Sequence, residues 1–369
     1  MRIAAYNVEN MFERPVAMNM PEMEEGRPAL EDHAELNNLI AKENYSASDK
    51  TRMLEIMGNH PGLLQNRVSK FLRLREYRNK LTKKSGGEFQ IAVDRRDEWV
   101  GWFELVEEAI NATAIDNTGR IVREIGADIL CIVEADDRTA LKHFNEVVLP
   151  RVNAAPYEHV MLIDGNDDRG IDVGILTRRD FPIQSIISHV HDVDGTGTIF
   201  SRDCAEYLVP LSGGDHLVLM VNHFKSKGFG SQASSNAKRK RQSTRVRAIY
   251  DQRLAEGHKL IAVLGDLNDV PTSDPLNPLV GNGSNLTDIM VHAKFVGDDR
   301  PGTHGNGTQS SKIDYILMSP DLADRVTAGG IERRGVFGGV NGTLFPHLPE
   351  IVTRVDSASD HAGLFVDVA

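Results

Sequence analysis

The sequence contains little cysteine and no long apolar run. Its only cysteines are Cys131 and Cys204, too few for a disulfide framework or a zinc cluster built on thiolates, and Cys131 lies in the apolar run DILCIV, where we expect a small buried side chain. No stretch of 18 apolar residues occurs, which argues against a membrane span. The N-terminal MRIAAYNVENMF lacks the basic flank and apolar run of a secretory signal. We therefore expect a cytoplasmic protein.

Aromatic residues and positive charge are also scarce. Phe, Trp and Tyr make up 6% of the chain, so no base-stacking surface is evident, and we expect Trp99, Trp102 and Phe103 in the core. The formal net charge is −11, from 42 Lys and Arg against 53 Asp and Glu. This balance argues against a general nucleic-acid coat protein but allows a local basic patch beside an acidic metal site. Composition does not determine the oligomeric state.

What is abundant is a repeated pattern of short apolar or alternating runs, each followed by Gly, Asn, Asp or Pro. Such runs are typical of strands. Eight of them read RIAAYNV, ADILCIV, HVMLI, DVGILT, HLVLMVNHF, KLIAVLGD, KIDYILM and GLFVDV. Helical patterns alternate with them, notably from Trp99 to Ile125 and from Lys238 to Glu256. The alternation predicts an α/β or α+β protein with internal sheets.

Residues from about Glu13 to Ala114 have a different composition, rich in Glu, Lys, Arg, Met and Leu. Ser46 to Lys84 resembles helices interrupted by turn residues. Within it, Arg67 to Lys84 contains eight basic residues and one acidic residue, Glu76, placed on nearly all sides of a helical wheel. Two interpretations remain open: a solvated helix that covers the edge of a core, or a lid or partner-binding segment.

Acidic, amide and histidine side chains stand at the ends of the apolar runs, where a strand delivers its last residue to the rim of a sheet. Taken singly, each is typical of a turn residue or a helix cap. Their recurrence at successive run ends indicates a shared site. The residues are Asn7, Glu134, His223, Asp266, Asn268, Asp314, Asp360 and His361.

The residue types in this set fit a hard divalent cation. Glu134 and Asp360 with the amide of Asn7 supply the oxygen ligands that Mg²⁺ prefers, with Mn²⁺ or Ca²⁺ as alternatives. Asp266 and Asn268 are two residues apart, so in a strand their side chains point to one face. A carboxylate that orients water and an amide that donates to a phosphoryl oxygen would then share one cleft.

Two histidines are candidates for acid, base or electrostatic roles near neutral pH. They are His223 and His361, and each needs a carboxylate that orients its ring. Asp314 is a candidate partner for His361. No GxxxxGK[ST] loop or GxSxG elbow occurs, so neither a P-loop nucleotide hydrolase nor a serine hydrolase is supported.

The motifs together resemble the endonuclease/exonuclease/phosphatase superfamily, the fold of pancreatic deoxyribonuclease. GDLND followed by IDYIL and SDH, in that order, is the specific part of the signal, and the match covers the chain except for 13–114. The motifs are YNVEN at Tyr6–Asn10, ADILCIVEADD at Ala127–Asp137, RGIDVGIL at Arg169–Leu176, NHFKSK at Asn222–Lys227, GDLND at Gly265–Asp269, KIDYILMSP at Lys312–Pro320 and SDH at Ser359–His361.

The resemblance implies a four-layer sandwich, with two packed mixed β-sheets flanked by helices. This domain would comprise residues 1–12 and 115–369, and 13–114 would be a mainly helical insertion that acts as a lid or cap. By the same resemblance, Asn7, Glu134 and Asp360 form the metal region. Asp266 and Asn268 orient the attacking water and contact the scissile phosphate. His361 with Asp314, and His223, complete the catalytic group.

Basic residues near the motifs are candidates for substrate binding. Between Lys225 and Arg253 there are nine Lys or Arg and one acid, which fits either a solvated helix face or phosphate binding by Lys225, Lys227 and Arg241 at the mouth of a cleft. Arg169 is a further phosphate-contact candidate, with an ion pair to Asp167 or Asp168 as the alternative.

The resemblance and these residues together predict a metal-dependent phosphodiester hydrolase in which water attacks phosphorus in line. A nuclease acting on DNA or RNA is the leading hypothesis. The alternative is a hydrolase of a smaller phosphoester, such as a phosphorylated sugar, a lipid headgroup or an organophosphate. A binding module that kept only the fold would have lost Glu134, Asp266, Asn268 or His361, and all four are present.

Overall fold

The computed structural model describes residues 1–18, 20, 23–167, 169–227 and 231–369, with the backbone alone at Met23 and Glu24. The chain divides into two compact units. The larger unit comprises Met1–Phe12, Ile110–Lys227 and Ser231–Ala369, and the insertion unit comprises Glu13–Ala109. The predicted insertion, 13–114, contains the insertion unit and the start of the helix that follows it.

The strands follow the predicted apolar runs. All eight runs predicted as strands form strands, so those predictions are confirmed. In chain order the strands are β1 (Arg2–Asn7), β2 (Glu13–Pro15), β3 (Leu72–Arg78), β4 (Thr82–Ser85), β5 (Glu88–Ile91), β6 (Val100–Leu105), β7 (Glu107–Ala109), β8 (Ile129–Ala135), β9 (His159–Ile163), β10 (Asp172–Thr177), β11 (Ser185–Ile187), β12 (Val193–Asp194), β13 (Gly197–Thr198), β14 (Cys204–Pro210), β15 (His216–His223), β16 (Leu260–Asp266), β17 (Thr287–Asp288), β18 (Phe295–Val296), β19 (Asp314–Met318), β20 (Val326–Glu332) and β21 (Gly363–Val368).

The helices are fewer, and a π-helical turn at Phe144–Val148 joins two of them. They are α1 (Met23–Ile40), α2 (Ala47–Asn59), α3 (Leu63–Asn66), α4 (Ala112–Ile125), α5 (Arg138–His143), α6 (Leu149–Arg151), α7 (Gln232–Ala255), α8 (Asn277–Val280) and α9 (Pro320–Ala323). The helix predicted at Lys238–Glu256 is confirmed within α7. The helix predicted from Trp99 to Ile125 is wrong in its first half, because buried Gly101 and Phe103 alternate with exposed neighbours in the period of a strand.

The larger unit contains two mixed sheets. One has seven strands in the order β18-β20-β21-β1-β8-β10-β9, and the other has six in the order β11-β14-β15-β16-β19-β17. Parallel pairing joins β1 to β8 and β15 to β16. These two pairs lie in the interior of their sheets, where a strand is covered on two faces and its sequence is apolar throughout. A third parallel pair, β18 with β20, lies at the edge of the seven-stranded sheet.

Three apolar clusters place these sheets in four layers, which confirms the predicted sandwich. The central cluster contains side chains from both sheets, among them Ile3, Cys131 and Leu219. A second cluster joins the outer face of the seven-stranded sheet to α4, and a third joins the outer face of the six-stranded sheet to α7. Cys131 is fully buried as predicted, and both cysteines are free. No described helix is both long enough and apolar enough to cross a membrane.

The insertion unit contains both helices and strands, so the prediction of helix from Arg67 to Lys84 is wrong. β3 pairs antiparallel with β6, and β4 pairs with β5. In β3, buried Leu72 and Leu74 alternate with more exposed Arg73 and Arg75. This alternation has period two, so Arg73 and Arg75 occupy one face of a ribbon and do not lie on a helix.

The three aromatic residues predicted in the core have different environments. Trp99 and Phe103 are buried, as predicted, in a cluster that belongs to the insertion unit. Trp102 is 40% exposed, so its predicted burial is wrong. It lies between Gly101 and Phe103 in β6, and the alternation that buries its neighbours turns its indole ring outward.

Candidate active site

Four of the predicted site residues continue rows of side chains that face the space between the two sheets. Within each strand, every second residue is buried in the central cluster, as in Ala5, Val221, Leu264 and Ile316. In each strand, the residue two positions nearer the rim points the same way and is polar. These residues are Asn7 after Ala5, His223 after Val221, Asp266 after Leu264 and Asp314 before Ile316. In the six-stranded sheet, His223 is directly opposite Asp266, and Asp266 is opposite Asp314.

Glu134 reaches the rim through a bulge. In the pairing of β8 with β10, Ala135 is opposite Asp172 and Val133 is opposite Val173, which leaves Glu134 as the extra residue. Its φ is +66°, in the left-handed region. Simple alternation would place Glu134 with the residues of the outer face, whereas a bulge redirects the side chain.

Contacts between neighbouring side chains join these residues into one polar chain. Nε2 of His223 lies 3.4 Å from Oε1 of Glu134 and 3.8 Å from Oδ2 of Asp266. Nδ2 of Asn7 lies 3.3 Å from the same Asp266 oxygen and 3.4 Å from Nε2 of His361. The two sheets therefore contribute to a single site.

His361 is oriented and charged by Asp314. Nδ1 of His361 lies 2.8 Å from Oδ2 of Asp314, and Thr303 donates its hydroxyl to that oxygen at 2.6 Å. Burial alone would lower the pKa of His361, but the charges of Asp314 and Asp360 outweigh it and hold the pKa well above its usual range. The structure thus brings together the predicted His361 and Asp314 pair.

Asp266 and Asn268 are joined by the backbone geometry of the GDLND motif. The Asn268 amide N–H donates to Oδ1 of Asp266 at 2.8 Å, and its side chain donates to Oδ2 at 3.0 Å. Asn268 has a φ of +54°, which closes this tight turn. Burial raises the pKa of Asp266 to about 7, and the nearby carboxylates of Asp314 and Glu134 contribute.

His223 differs from His361 in its charge. Burial, together with the guanidinium groups of Arg202 and Arg169, holds the pKa of His223 well below its usual range. Its ring is therefore neutral. Within the described part of the chain, its buried Nδ1 has no hydrogen-bond partner.

Asp360 lies beside a histidine that the sequence analysis did not select. Nε2 of His304 is 3.0 Å from Oδ2 of Asp360, and its ring contacts that of His361 edge to face with centroids 4.7 Å apart. Burial lowers the pKa of His304, but Asp360 outweighs this effect and raises it. A histidine flanked by glycine in the PGTHGNG loop, just before KIDYILM, was the available signal.

Arg169 belongs to a buried ion-pair group whose charge affects the pKa of Lys225. Arg169 contacts Asp167 through Nη2 at 2.9 Å, and Arg202 reaches the same carboxylate at 2.7 Å. Burial, with the charges of Arg202 and Arg169, lowers the pKa of Lys225 to about 8. Asp168, the other predicted partner of Arg169, lies outside the described residues. Arg202 has no motif that would have identified it.

The other two predicted phosphate contacts form ion pairs with acidic side chains. Lys227 is 2.8 Å from Asp269. Arg241 binds Asp194 through two bonds, of 2.7 and 2.6 Å. Arg169 therefore has the ion pair with Asp167 that was its alternative interpretation, and Lys227 and Arg241 are also paired with acids. Asp269 is shared between Lys227 and Arg239, as Asp167 is between Arg169 and Arg202.

The donor atoms fit a divalent cation. Glu134, His223 and Asp266 each offer a ligand atom within 4.8 Å of the others. The neutral ring of His223 presents Nε2 to both carboxylates, which suits metal contact. Two carboxylates are the ligands expected for Mg²⁺. The predicted ligands Glu134 and Asp360 fall in different groups, because Asp360 lies with His304 and His361.

Comparison with known proteins adds the family. The sequence profile of the Endonuclease/Exonuclease/phosphatase family matches residues 106–361, more than half of the chain. The chain belongs to this family. Members of the family are phosphoester hydrolases and generally use divalent metal ions. No curated protein matches the sequence.

Solved structures resemble about 70% of the chain. An endonuclease/exonuclease/phosphatase family protein from Bacteroides thetaiotaomicron has a TM-score of 0.50 at 19% identity, over 68% of this chain and 84% of that one. A mannosyl-6-phosphatase from the same organism has a TM-score of 0.49 at 19% identity, over 69% and 90%. The human Nocturnin catalytic domain has 0.49 at 16%, over 71% and 88%. At this identity the likeness concerns the fold.

Proposed function

We propose that this protein is a divalent-metal-dependent phosphodiester hydrolase that acts on nucleic acid. The observation that supports the proposal is the continuous polar chain from Glu134 through Asp266 and Asn7 to His361, at the rim where both sheets end. It combines carboxylates for a metal, a group that can accept a proton near neutral pH, and a charged imidazole.

Each residue has a distinct role in this proposal. Asp266, whose pKa is raised to about 7 by burial, accepts a proton from the attacking water and is held in place by Asn268. The charged ring of His361 stabilises the phosphoryl oxygens that gain negative charge, and Asp314 fixes its orientation. His223 supplies a neutral imidazole between Glu134 and Asp266.

The metal region in the proposal is centred on Glu134, whose carboxylate contacts His223. Of the other two predicted ligands, Asn7 lies beside Asp266 and Asp360 lies with His304 and His361, so both would line the rim next to the ion. Mg²⁺, or alternatively Mn²⁺ or Ca²⁺, would neutralise charge on the non-bridging phosphate oxygens when bound there. His304 contacts Asp360 and His361, and Asp360 raises its pKa, which favours positive charge at this rim. Lys225 and Arg169 would bind a neighbouring phosphate.

A hydrolase of a small phosphoester is the second candidate. The observation that favours it is that three predicted phosphate contacts are ion-paired, Lys227 with Asp269, Arg241 with Asp194 and Arg169 with Asp167. These pairs leave fewer cations in this region to follow a polyanionic backbone. A small substrate requires one phosphate contact, which Lys225 and Arg169 could supply.

A substrate panel distinguishes the two candidates. We would assay duplex DNA, single-stranded DNA, RNA, bis-p-nitrophenyl phosphate and p-nitrophenyl phosphate with Mg²⁺, Mn²⁺ and Ca²⁺. Cleavage of nucleic acid that falls steeply with salt is expected, because each neutralised phosphate adds about one unit to the log–log slope. Hydrolysis of only the small esters would instead support the second candidate.

Variants test the assigned roles. His361→Gln and Asp266→Asn should each lower turnover by about 10²-fold or more, as electrostatic and acid–base contributions do. Glu134→Gln should raise the metal concentration needed for half-maximal activity. Asp215→Asn, an exposed acid paired with Arg325, is the matched control. Near-normal turnover in a folded His361 or Asp266 variant contradicts its role, and an unchanged metal titration contradicts the ligand assignment.

A further inference from the structure

The insertion unit contains a basic cleft that the proposed catalytic site does not use. Its volume is about 370 Å³. Four cationic side chains line it, with one tyrosine and one acid among the other lining residues. The charged and aromatic members are Arg67, Arg73, Arg75, Lys80, Tyr77 and Glu76.

The side chains that line this cleft carry more positive charge than the neighbouring carboxylates neutralise. Glu76 is buried and contacts both Arg67, at 3.0 Å, and Lys80, at 3.1 Å. Arg75 is paired with Glu104 at 2.7 Å. Within the described ranges, no acid lies within ion-pair distance of Arg73. The segment 67–84 has eight basic residues and one acidic residue in a chain of net charge −11, so the cleft is a local site for an anion.

Tyr77, which lines the cleft, belongs to a pair of exposed aromatic rings. Tyr77 of β3 stacks on Trp102 of β6 with centroids 5.1 Å apart and 25° between the planes. Tyr77 is 67% exposed, so the ring face away from Trp102 is open to solvent. Aromatic faces beside cations are the elements that bind bases and phosphates of a single strand.

We propose that this face of the insertion unit binds single-stranded nucleic acid, with a base stacked on Tyr77 and the adjacent phosphates at Arg73 and in the cleft. The inference rests on the proposed action on nucleic acid and specifies the form of the substrate. Stacking requires an unpaired base, which a duplex does not offer. An acidic peptide would use the cations but leave the Tyr77 ring without a partner.

Binding can be measured without catalysis. We would follow the anisotropy of a labelled 12-nucleotide oligothymidylate in EDTA as protein is added, at several salt concentrations. Tyr77→Ala should raise Kd by about 5-fold or more, since base stacking on one ring contributes at least that factor. Tyr77→Phe should retain most of the affinity. Arg73→Gln should lower the slope of log Kd against log salt by about 0.7.

Arg52→Gln is the matched control for charge. Arg52 is an exposed residue of α2 that is paired with Glu35, outside the cleft-lining residues, and its loss should leave Kd close to that of the wild type. Trp102 provides a second measurement: it is exposed whereas the only other tryptophan, Trp99, is buried, so stacking at Tyr77 should change the intrinsic fluorescence.

Three results would overturn the proposal. The first is equal Kd values for the wild type, Tyr77→Ala and Arg73→Gln. The second is tighter binding of the duplex than of the single strand. The third is self-association of the protein through this face, seen as a mass change in light scattering that Tyr77→Ala abolishes.

The proposed catalytic function is tested separately by wild-type hydrolysis. Strand binding without any cleavage would contradict the catalytic function alone, whereas cleavage with unchanged binding in the variants would contradict the binding surface alone.

Discussion

The His361 and Asp314 pair concentrates several interactions on one carboxylate oxygen. Oδ2 of Asp314 contacts His361 Nδ1 at 2.8 Å and accepts the Thr303 hydroxyl at 2.6 Å. All three side chains are buried. A buried carboxylate in this position fixes both the orientation and the charge of the ring, so its effect on catalysis should pass through His361.

The first prediction is that Asp314 affects catalysis through His361. Asp314→Asn should lower turnover of bis-p-nitrophenyl phosphate by about 10²-fold, because His361 loses the charge that holds its proton. Adding Asp314→Asn to His361→Gln should cause little further loss, since residues that act as one unit are not additive. Circular dichroism and urea unfolding would confirm that each variant is folded. Multiplicative losses in the double variant would contradict the dependence.

The second prediction concerns a histidine of the larger unit outside the catalytic residues. His189 lies 2.7 Å from Glu206 and 2.9 Å from Asp192. Burial lowers the pKa of His189, but these two carboxylates outweigh it and raise the pKa above the ordinary value. The charged ring therefore stabilises the folded state fully below about pH 6.5, the unfolded pKa, and this contribution is lost as pH rises through the folded pKa.

His189→Gln should accordingly cost more stability at pH 6 than at pH 9. Urea unfolding of both proteins at these pH values measures the difference in unfolding free energy. Arg253 also binds Glu206, at 2.6 Å, so this carboxylate remains compensated in the variant and the pH dependence belongs to the imidazole. A difference that is constant from pH 6 to pH 9 would refute the assignment.

At the scale of an element, β16 depends on one glycine. Gly265 has a φ of +116°, and a Cβ at this position would lie 2.1 Å from the Asn222 carbonyl oxygen on the neighbouring β15. The residue after it is Asp266. The close approach of the two strands therefore sets the position of the proposed base.

The third prediction follows from this contact. Gly265→Ala should destabilise the protein by about 2 kcal/mol or more, since both the strained φ and a clash with backbone contribute. Gly195→Ala is the control, because a Cβ at Gly195 has no neighbour within 4 Å and its φ lies outside the left-handed region. Its stability should stay close to that of the wild type. Urea denaturation of both variants provides the measurement, and equal stabilities would contradict the argument.

At the scale of the whole molecule, each unit has an apolar core of its own. The three clusters of the larger unit contain only its own residues, and the cluster around Met53 and Trp99 contains only residues of the insertion unit. The two ends of the larger unit that flank the insertion are joined by a hydrogen bond from Ile110 N–H to the Phe12 carbonyl at 2.9 Å.

The fourth prediction is that a short linker can replace Glu13–Ala109. Because Phe12 and Ile110 are already adjacent, a Gly and Asn turn closes the chain at little entropic cost, and the larger unit should unfold cooperatively. Hydrolysis of bis-p-nitrophenyl phosphate should persist, whereas affinity for single-stranded oligothymidylate should fall. Loss of cooperative unfolding would contradict the independence of the larger unit, and unchanged strand affinity would contradict the proposed binding surface.

Periodicity explains why most of the sandwich could be predicted. Strands of the inner sheets are apolar on both faces, and each ends where a polar residue appears, so runs such as KLIAVLGD and KIDYILM define both the element and its terminal residue. In the structure, the two-residue period of these strands puts Asn7, His223, Asp266 and Asp314 in the rows of side chains that face the space between the two sheets. The family motifs then associated those rows with one site.

Periodicity also explains the main error. In β3 the repeat Leu72, Arg73, Leu74, Arg75 is too short and too charged to distinguish a half-buried ribbon from a helix by composition. The pairing with β6 distinguishes the two, because the partner strand determines which side of a ribbon is covered. The exposed Tyr77 and Trp102 pair follows from the same pairing.

The sequence by itself determined the inner strands, the polar residues at their ends and the family to which their order belongs. Only the tertiary structure decided that Glu134 enters the site through a bulge, that His304 joins Asp360 and that Arg241 is bound to Asp194. The physical reason is distance along the chain. Alternation and turn chemistry act over a few neighbouring residues, whereas a bulge or an ion pair depends on what a distant segment places opposite the side chain.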